Sequence, residues 1–173
     1  MEKAIDATDD VVLRWLESED FEEALDWRME VLGVVFEEAE PWDHAALRKA
    51  NGRFIGKHLG SDLVHCIASY AGEDAGCGAI CFQDELPSPD NREGRNAYLM
   101  NIYTRPAFRG HGIGRVVVAE LIARARERGA GKIYLETTAM GAALYEGLGF
   151  VYMEGMMRLE DAAGLPSKGE DRD

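Results

Sequence analysis

The sequence predicts an α/β domain in which helices pack on a mixed central sheet. Three observations carry that expectation. Strand-length apolar runs alternate with stretches whose apolar residues recur at helical spacing. Two of the runs, 63–71 and 75–82, are separated only by Gly72-Glu-Asp-Ala and read as an antiparallel hairpin. A third run, 97–104, passes through a glycine-rich turn straight into a helix that begins near Ile113. The length of 173 residues suits one domain with one core, expected over 1–159, followed by a polar, flexible tail over 160–173.

The elements follow in order. Residues 11–16, Val-Val-Leu-Arg-Trp-Leu, read as a first strand. Asp20 then caps a helix, with Glu23 three residues on completing a capping box. Phe21, Leu25, Met29, Leu32 and Phe36 form its apolar stripe, and acidic residues from Glu22 to Glu38 fill its other faces until Pro41. Asp43 caps a second helix carrying Leu47, Ala50, Phe54, Ile55 and His58 along one stripe and ending at Gly60. After the hairpin, 84–96 holds Pro87, Pro89 and Gly94 and reads as a long loop, either functional or a connector. The helix from Ile113 runs to Arg128 and is closed by Gly129. A strand over 132–137, a short helix over about 140–148, and short strands over 150–154 and 156–159 joined at Gly155 complete the order.

Composition excludes several classes. A net charge of −13 argues against nucleic acid and against an anionic membrane surface as partners. No run approaches a membrane span, and the acidic N-terminus lacks a signal-peptide pattern. Cys66, Cys77 and Cys81 show no Cys-x-x-Cys spacing and read as small buried hydrophobes in a reducing cytoplasm. His44, His58, His65 and His111 form no metal-ligand spacing, so no metal is expected.

The chemistry concentrates in Asn101-Ile-Tyr-Thr-Arg-Pro-Ala-Phe-Arg-Gly-His-Gly-Ile-Gly114. Glycines at 110, 112 and 114 let backbone N–H groups converge at a helix N-terminus, a cradle of partial positive charge for an anion such as a pyrophosphate. A dinucleotide fingerprint would need glycine at 115, where Arg stands, and no Gly-Lys-Ser/Thr of a nucleoside-triphosphate loop occurs. Residues 105–132 hold seven basic and two acidic side chains, a basic island in an acidic chain. Arg109 and Arg115, inside or beside the turn, are candidate phosphate ligands; Arg124, Arg126 and Arg128 read as a solvated helix face.

The spacing Arg109-x-x-Gly112-x-Gly114 after a strand ending in x-Pro resembles the acyl-coenzyme A signature of the GNAT superfamily of N-acetyltransferases. Gly141-Ala-Ala-Leu-Tyr-Glu-Gly-Leu-Gly-Phe150 is similar to that superfamily's later helix. The resemblance implies a mostly antiparallel sheet whose strands at 97–104 and 132–137 splay apart to admit the cofactor. It also implies acetyl-CoA as donor, with Ile102, Tyr103 and Thr104 offering backbone groups to the pantetheine arm. Arg109, Gly110, His111, Gly112, Ile113, Gly114 and Arg115 would surround the phosphates. Tyr145 stands at the superfamily's tyrosine position, and a phenol (pKa about 10) remains protonated where it must donate to a departing thiolate (pKa about 8.5). Glu136 or Asn101 would serve the amine, the first by taking a proton, the second only by orienting or polarising.

The expected acceptor is an amine, on a small molecule or a peptide, selected by the first two helices and the loop at 84–96. Trp15, Trp27, Trp42 and Tyr70 lie in or near those regions, with a core or rim role the better reading for each. A non-catalytic acyl-CoA-binding regulator and an enzyme of longer acyl-CoA thioesters stand as alternatives, and the fold admits a homodimer.

Overall fold

The computed structural model describes residues 10–37 and 41–157. Five strands form one sheet in the order β1-β2-β3-β4-β5. They are β1 (Val11–Leu16), β2 (Leu63–Tyr70), β3 (Glu73–Asp84), β4 (Arg95–Thr104) and β5 (Lys132–Leu135). Neighbours from β1 to β4 are antiparallel, and β4 pairs with β5 in parallel. The helices are α1 (Phe21–Val35), α2 (His44–His58), α3 (Ile113–Glu127) and α4 (Ala139–Glu146).

Strand alternation divides the core in two. Val64, Cys66, Ile80, Phe82, Ala97 and Leu99 face α3, which buries Ile113, Val117, Val118, Leu121 and Ala125 against them. The opposite face carries Leu63, Ile67, Cys77, Ala79 and Cys81 and is covered by Ala24, Leu25, Trp27 and Val31 of α1 and Ile55 of α2. Glycines set how closely α3 seats: a Cβ on Gly78 would lie 2.5 Å from Val117 Cγ1, and one on Gly76 would lie 3.3 Å from Ile113 Cγ2.

The hairpin turns at Ala71 and Gly72, both with positive φ, which suits the twist of the flanking strands. Asp43 caps α2 as expected, accepting from the Ala46 N–H at 2.9 Å. The cap of α1 differs from the expectation. Ser18–Asp20 forms a short 3₁₀ turn, and the capping box lies one turn earlier, between Glu17 and Asp20. Asp20 accepts from the Glu17 N–H, while Glu23 is drawn to Arg14 instead.

Two further expectations are corrected. The strand expected over 132–137 ends at Leu135, and Glu136 and Thr137 lie beyond it. Residues 150–154 form no strand: apolar content does not suffice without a ladder partner, and β5 pairs only with β4 among the described residues. Val151, Tyr152, Met153, Met156 and Met157 are consequently exposed. Glu38, the end of the 156–159 segment and the tail at 160–173 lie outside the described residues. No helix among the described residues is long and apolar enough to cross a membrane.

Candidate active site

The parallel pairing of β4 and β5 lasts four residues, from Asn96↔Lys132 to Leu99↔Leu135, and then stops. Past that point β4 runs on to Thr104 with β3 as its only ladder partner among the described residues. Met100–Thr104 are therefore left without a strand on the β5 side, where β5 ends at Leu135. A bulge sits at the start of this stretch. Ala79 pairs with Met100 and Cys77 with Tyr103, so Gly78 alone faces both Asn101 and Ile102. Asn101 takes φ 55 there, a conformation asparagine tolerates better than most side chains. The bulge turns Met100 and Asn101 to the α1/α2 face and returns Ile102 to the α3 face.

At the far end of β4 the chain enters the glycine turn. Gly110 and Gly112 adopt φ 84 and φ 75, and Gly112 is the N-cap of α3. Its carbonyl accepts the Val116 N–H at 3.1 Å, leaving the amides of the first turn without intrahelical acceptors. A helix N-terminus opened by left-handed glycines fits a phosphate group, because its donors converge and no Cβ stands among them. Ile113 is buried in the core and can offer only its backbone. Gly114 seats α4, since its Cβ would lie 3.4 Å from Leu144 Cδ2. Arg109 Nε donates to the Thr104 carbonyl at 3.3 Å and Arg115 Nη1 to the Gly147 carbonyl at 3.4 Å. Both guanidiniums stay beside the turn. The His111 ring lies 4.7 Å from the Tyr70 ring, with Nδ1 at 3.2 Å from the Phe108 carbonyl.

The rest of the basic island is less free than its composition suggests. Arg105 forms a two-pronged ion pair with Glu30 at 2.8 and 2.9 Å and stacks 4.1 Å above the Trp27 ring. It clamps α1 to the end of β4. Arg124 lies over Trp15, and Arg128 donates to the Ser61 carbonyl.

Tyr145 lies on α4, half-buried against the α3-side core, with its ring edge-on to Phe150. Burial pushes its phenol above the ordinary tyrosine value, so it is protonated at neutral pH. It lines a cavity of about 650 Å³ that follows the outer edge of β5 and also touches Glu136, Tyr98 and Tyr134. Glu136 and Tyr145 thus share one wall, whereas Asn101 does not reach it.

Asn101 belongs to a second cavity, of about 250 Å³, between α1, α2 and the sheet. There Arg28 Nη1 donates to Asn101 Oδ1 at 3.0 Å and Arg28 Nε to Asn51 Oδ1 at 3.2 Å. His65 Nε2 lies 3.4 Å from Asn101 Nδ2. Burial, helped by the Arg28 charge, lowers the His65 pKa to about 4, so its ring is neutral. Burial pushes the Cys66 thiol up to about 12 and raises Cys77 and Cys81 as well, which makes all three packing residues. No group of metal-binding side chains occurs among the described residues.

Arg28, Asn51 and His65 were not legible as site residues, though each leaves a trace. Arg28 interrupts the buried stripe of α1 between Leu25 and Leu32, and His65 is the one imidazole in the apolar run Leu-Val-His-Cys-Ile-Ala. Trp15, Trp27, Trp42 and Tyr70 line neither cavity. The loop at 84–96 lies at the Asn96↔Lys132 end of the β4/β5 pair, away from Met100–Thr104. There Asn91, Asn96, Glu85 and Lys132 bind one another.

A mostly antiparallel five-stranded sheet ending in a parallel β4/β5 pair, with a helix opened by left-handed glycine after β4, is the fold of the GNAT acetyltransferases. Residues 13–150 match the family model described as "Acetyltransferase (GNAT) family", and the chain belongs to that family. It is 34% identical over 94 residues to the uncharacterized N-acetyltransferase YjgM of Escherichia coli (strain K12), covering 53% of each protein. It is 30% identical over 63 residues to the glucosamine 6-phosphate N-acetyltransferase of Trypanosoma brucei brucei, covering 36% of this chain and 43% of that one. These matches span about half the length of the curated relatives. A solved structure described as a predicted acetyltransferase with acetyl-CoA, from Clostridium acetobutylicum, superposes with a TM-score of 0.76 at 28% identity, over 87% of this chain and 96% of that one.

Proposed function

We propose that the chain transfers an acetyl group from acetyl-CoA to a primary amine by direct attack in a ternary complex, in the cytoplasm. The end of the parallel β4/β5 pairing at Leu99↔Leu135, with β4 running on to a helix capped by Gly112, is the observation that carries this reading. Acetyl-CoA, when bound, supplies an acyl group activated as a thioester. The backbone of Ile102, Tyr103 and Thr104, with no partner strand on the β5 side among the described residues, has amide donors and acceptors to offer an amide-bearing arm. The amides from Gly110 to Arg115, with the Arg109 and Arg115 side chains beside them, hold the pyrophosphate.

Tyr145 Oη gives its proton to the departing sulfur, a task that suits a phenol held protonated by burial. The amine enters from the α1/α2 face, beside Met100 and Asn101, and attacks the thioester carbon just past the end of β5, where Glu136 follows Leu135, so nucleophile and leaving sulfur meet at one carbon. Glu136 receives the amine proton, directly or through water. Asn101 serves as a positioning residue, because its side chain is engaged by Arg28 and His65. Close positioning supplies on the order of 7–11 kcal/mol of such a barrier, so one acid and one solvated base suffice. The name of the Trypanosoma relative supports an amine acceptor. A longer acyl chain is the second reading, favoured by the roughly 650 Å³ cavity beside Tyr145 with Ile133, Leu135 and Phe150 in its wall.

Thiol release measured with acetyl-, butyryl- and hexanoyl-CoA against an amine panel tests both. Release that needs amine and gives intersecting initial-rate plots is expected. Release at the same rate without amine, or parallel plots, would contradict direct attack.

A further inference from the structure

We infer that the cavity between α1, α2 and the sheet seats an anionic group of the acceptor, a carboxylate or a phosphate, with Arg28 as its counter-charge. The inference rests on the acetyl-transfer reading and names the acceptor's chemistry.

Arg28 stands apart from the other arginines that contact α1. Arg14 pairs with Glu23, Arg48 with Asp26, and Arg105 with Glu30. Arg28 has no carboxylate partner among the described residues; its contacts are the amide oxygens of Asn51 and Asn101. Amide oxygens aim a guanidinium without neutralising it, and withdrawing an uncompensated charge from water is costly. Burial accordingly works against the Arg28 charge. The nearby His65 ring cannot compensate, since it is neutral or, if protonated, of the same sign.

The surrounding bonds hold the guanidinium in a fixed pose. Asn51 Nδ2 donates to the Leu47 carbonyl at 2.9 Å, which turns Asn51 Oδ1 toward Arg28 Nε. Asn101 Oδ1 takes one Nη1 hydrogen. The Nη2 group and the second Nη1 hydrogen have no acceptor among the described residues. Together they form the planar fork that binds carboxylate or phosphate oxygens in pairs.

Position makes this fork relevant to the reaction. Met100 and Asn101 line the cavity, and they directly follow Leu99, the last residue of β4 paired with β5. An acceptor anchored on Arg28 would present its amine where the β4/β5 pairing ends. The volume of about 250 Å³ lies below the roughly 300–1,000 Å³ of drug-sized sites, so the anion and amine are separated by a short spacer. The chain's net charge of −13 gives no hint of such a site, because the local charge at Arg28 sets the preference.

The test uses pairs of compounds differing only in the anion: glycine, β-alanine and 4-aminobutyrate against their amides, and 2-aminoethyl phosphate against ethanolamine. Binding to the full chain is read by calorimetry with coenzyme A present, which needs no turnover, and acetyl-CoA affinity is measured separately. At least one anionic member should bind ten-fold or more tightly than its neutral partner. Arg28→Gln should erase that difference while acetyl-CoA affinity stays within about two-fold, and Arg28→Lys should restore it only in part. Preference for a carboxylate or for the phosphate identifies which anion the site takes. Equal binding of acids and amides, no binding of any acid at millimolar concentration, or a preference that survives Arg28→Gln would overturn the inference. Failure of acetyl-CoA to bind would instead overturn the transferase reading. Should Arg28→Gln not fold, Asn51→Ala gives a second test: loss of the bond to Nε should weaken the anionic ligand and leave its neutral partner unchanged.

Discussion

Arg28 Nη1 donates to Asn101 Oδ1 at 3.0 Å, and this contact joins the buried side of helix α1 to the residue at which strand β4 bulges. Asn101 holds φ 55, Cys77 Sγ lies 3.2 Å from its carbonyl oxygen, and His65 packs on its amide. The bulge in β4 is thus fixed from the side opposite α3 by polar groups, in a core otherwise apolar.

Asn101→Ala should cost about 2–4 kcal/mol, combining backbone strain at positive φ with loss of the bond to Arg28. Asn101→Gly removes the strain alone and should cost about 1 kcal/mol less. Urea unfolding of both variants checks the order. Equal losses would show that the bulge carries no strain.

Acid stability should report His65. Between pH 6.5 and about 4 the unfolded chain takes up a proton there that the folded chain refuses. Stability is therefore full above pH 6.5 and falls as pH drops through that window, by about 3 kcal/mol in all. Glu30, held below the ordinary carboxylate value by Arg105, adds its own loss only at lower pH. His65→Gln should flatten the upper part of the profile. Identical slopes for both proteins between pH 6.5 and 4.5 would show that this histidine is not held neutral.

Gly78→Val should unseat α3. A Cβ there meets Val117 Cγ1 at 2.5 Å and Leu121 Cδ1 at 2.9 Å, so the helix must move or the sheet must bend. Overpacking of this kind costs about 1–3 kcal/mol, and acetyl-CoA affinity should fall with it because the same helix carries the glycine turn. A thermal midpoint unchanged from wild type would contradict this.

Tyr145→Phe should lower kcat by about 10²-fold or more while the acetyl-CoA dissociation constant stays nearly constant, the pattern of a lost proton donor. Weaker binding with unchanged kcat would make Tyr145 a packing residue. Rapid-quench kinetics with saturating amine distinguish the two.

What was readable in the sequence divides along physical lines. Periodicity and caps located α2, α3 and the β2–β3 hairpin closely, because local backbone preference and burial agree there. The glycine turn was equally plain, since left-handed backbone at Gly110 and Gly112 restricts residue choice. The unreadable parts depend on contacts between distant segments. Arg28 and Asn101 are 73 residues apart, and nothing local reveals that their side chains meet. The misplaced box at Asp20 and Glu23 reflects a 3₁₀ turn that competes for the same side chains. Residues 150–154 read as a strand from apolar content, yet a strand exists only through its neighbour.

The most direct test is calorimetric titration of acetyl-CoA into the wild-type chain and into Gly112→Val. Position 112 is the N-cap of α3 at φ 75, where a β-branched residue both strains the backbone and fills the cradle. The account predicts saturable one-to-one binding to the wild type and its loss in the variant. Wild-type protein that binds no acetyl-CoA, or a variant that binds it unchanged, would contradict the central claim.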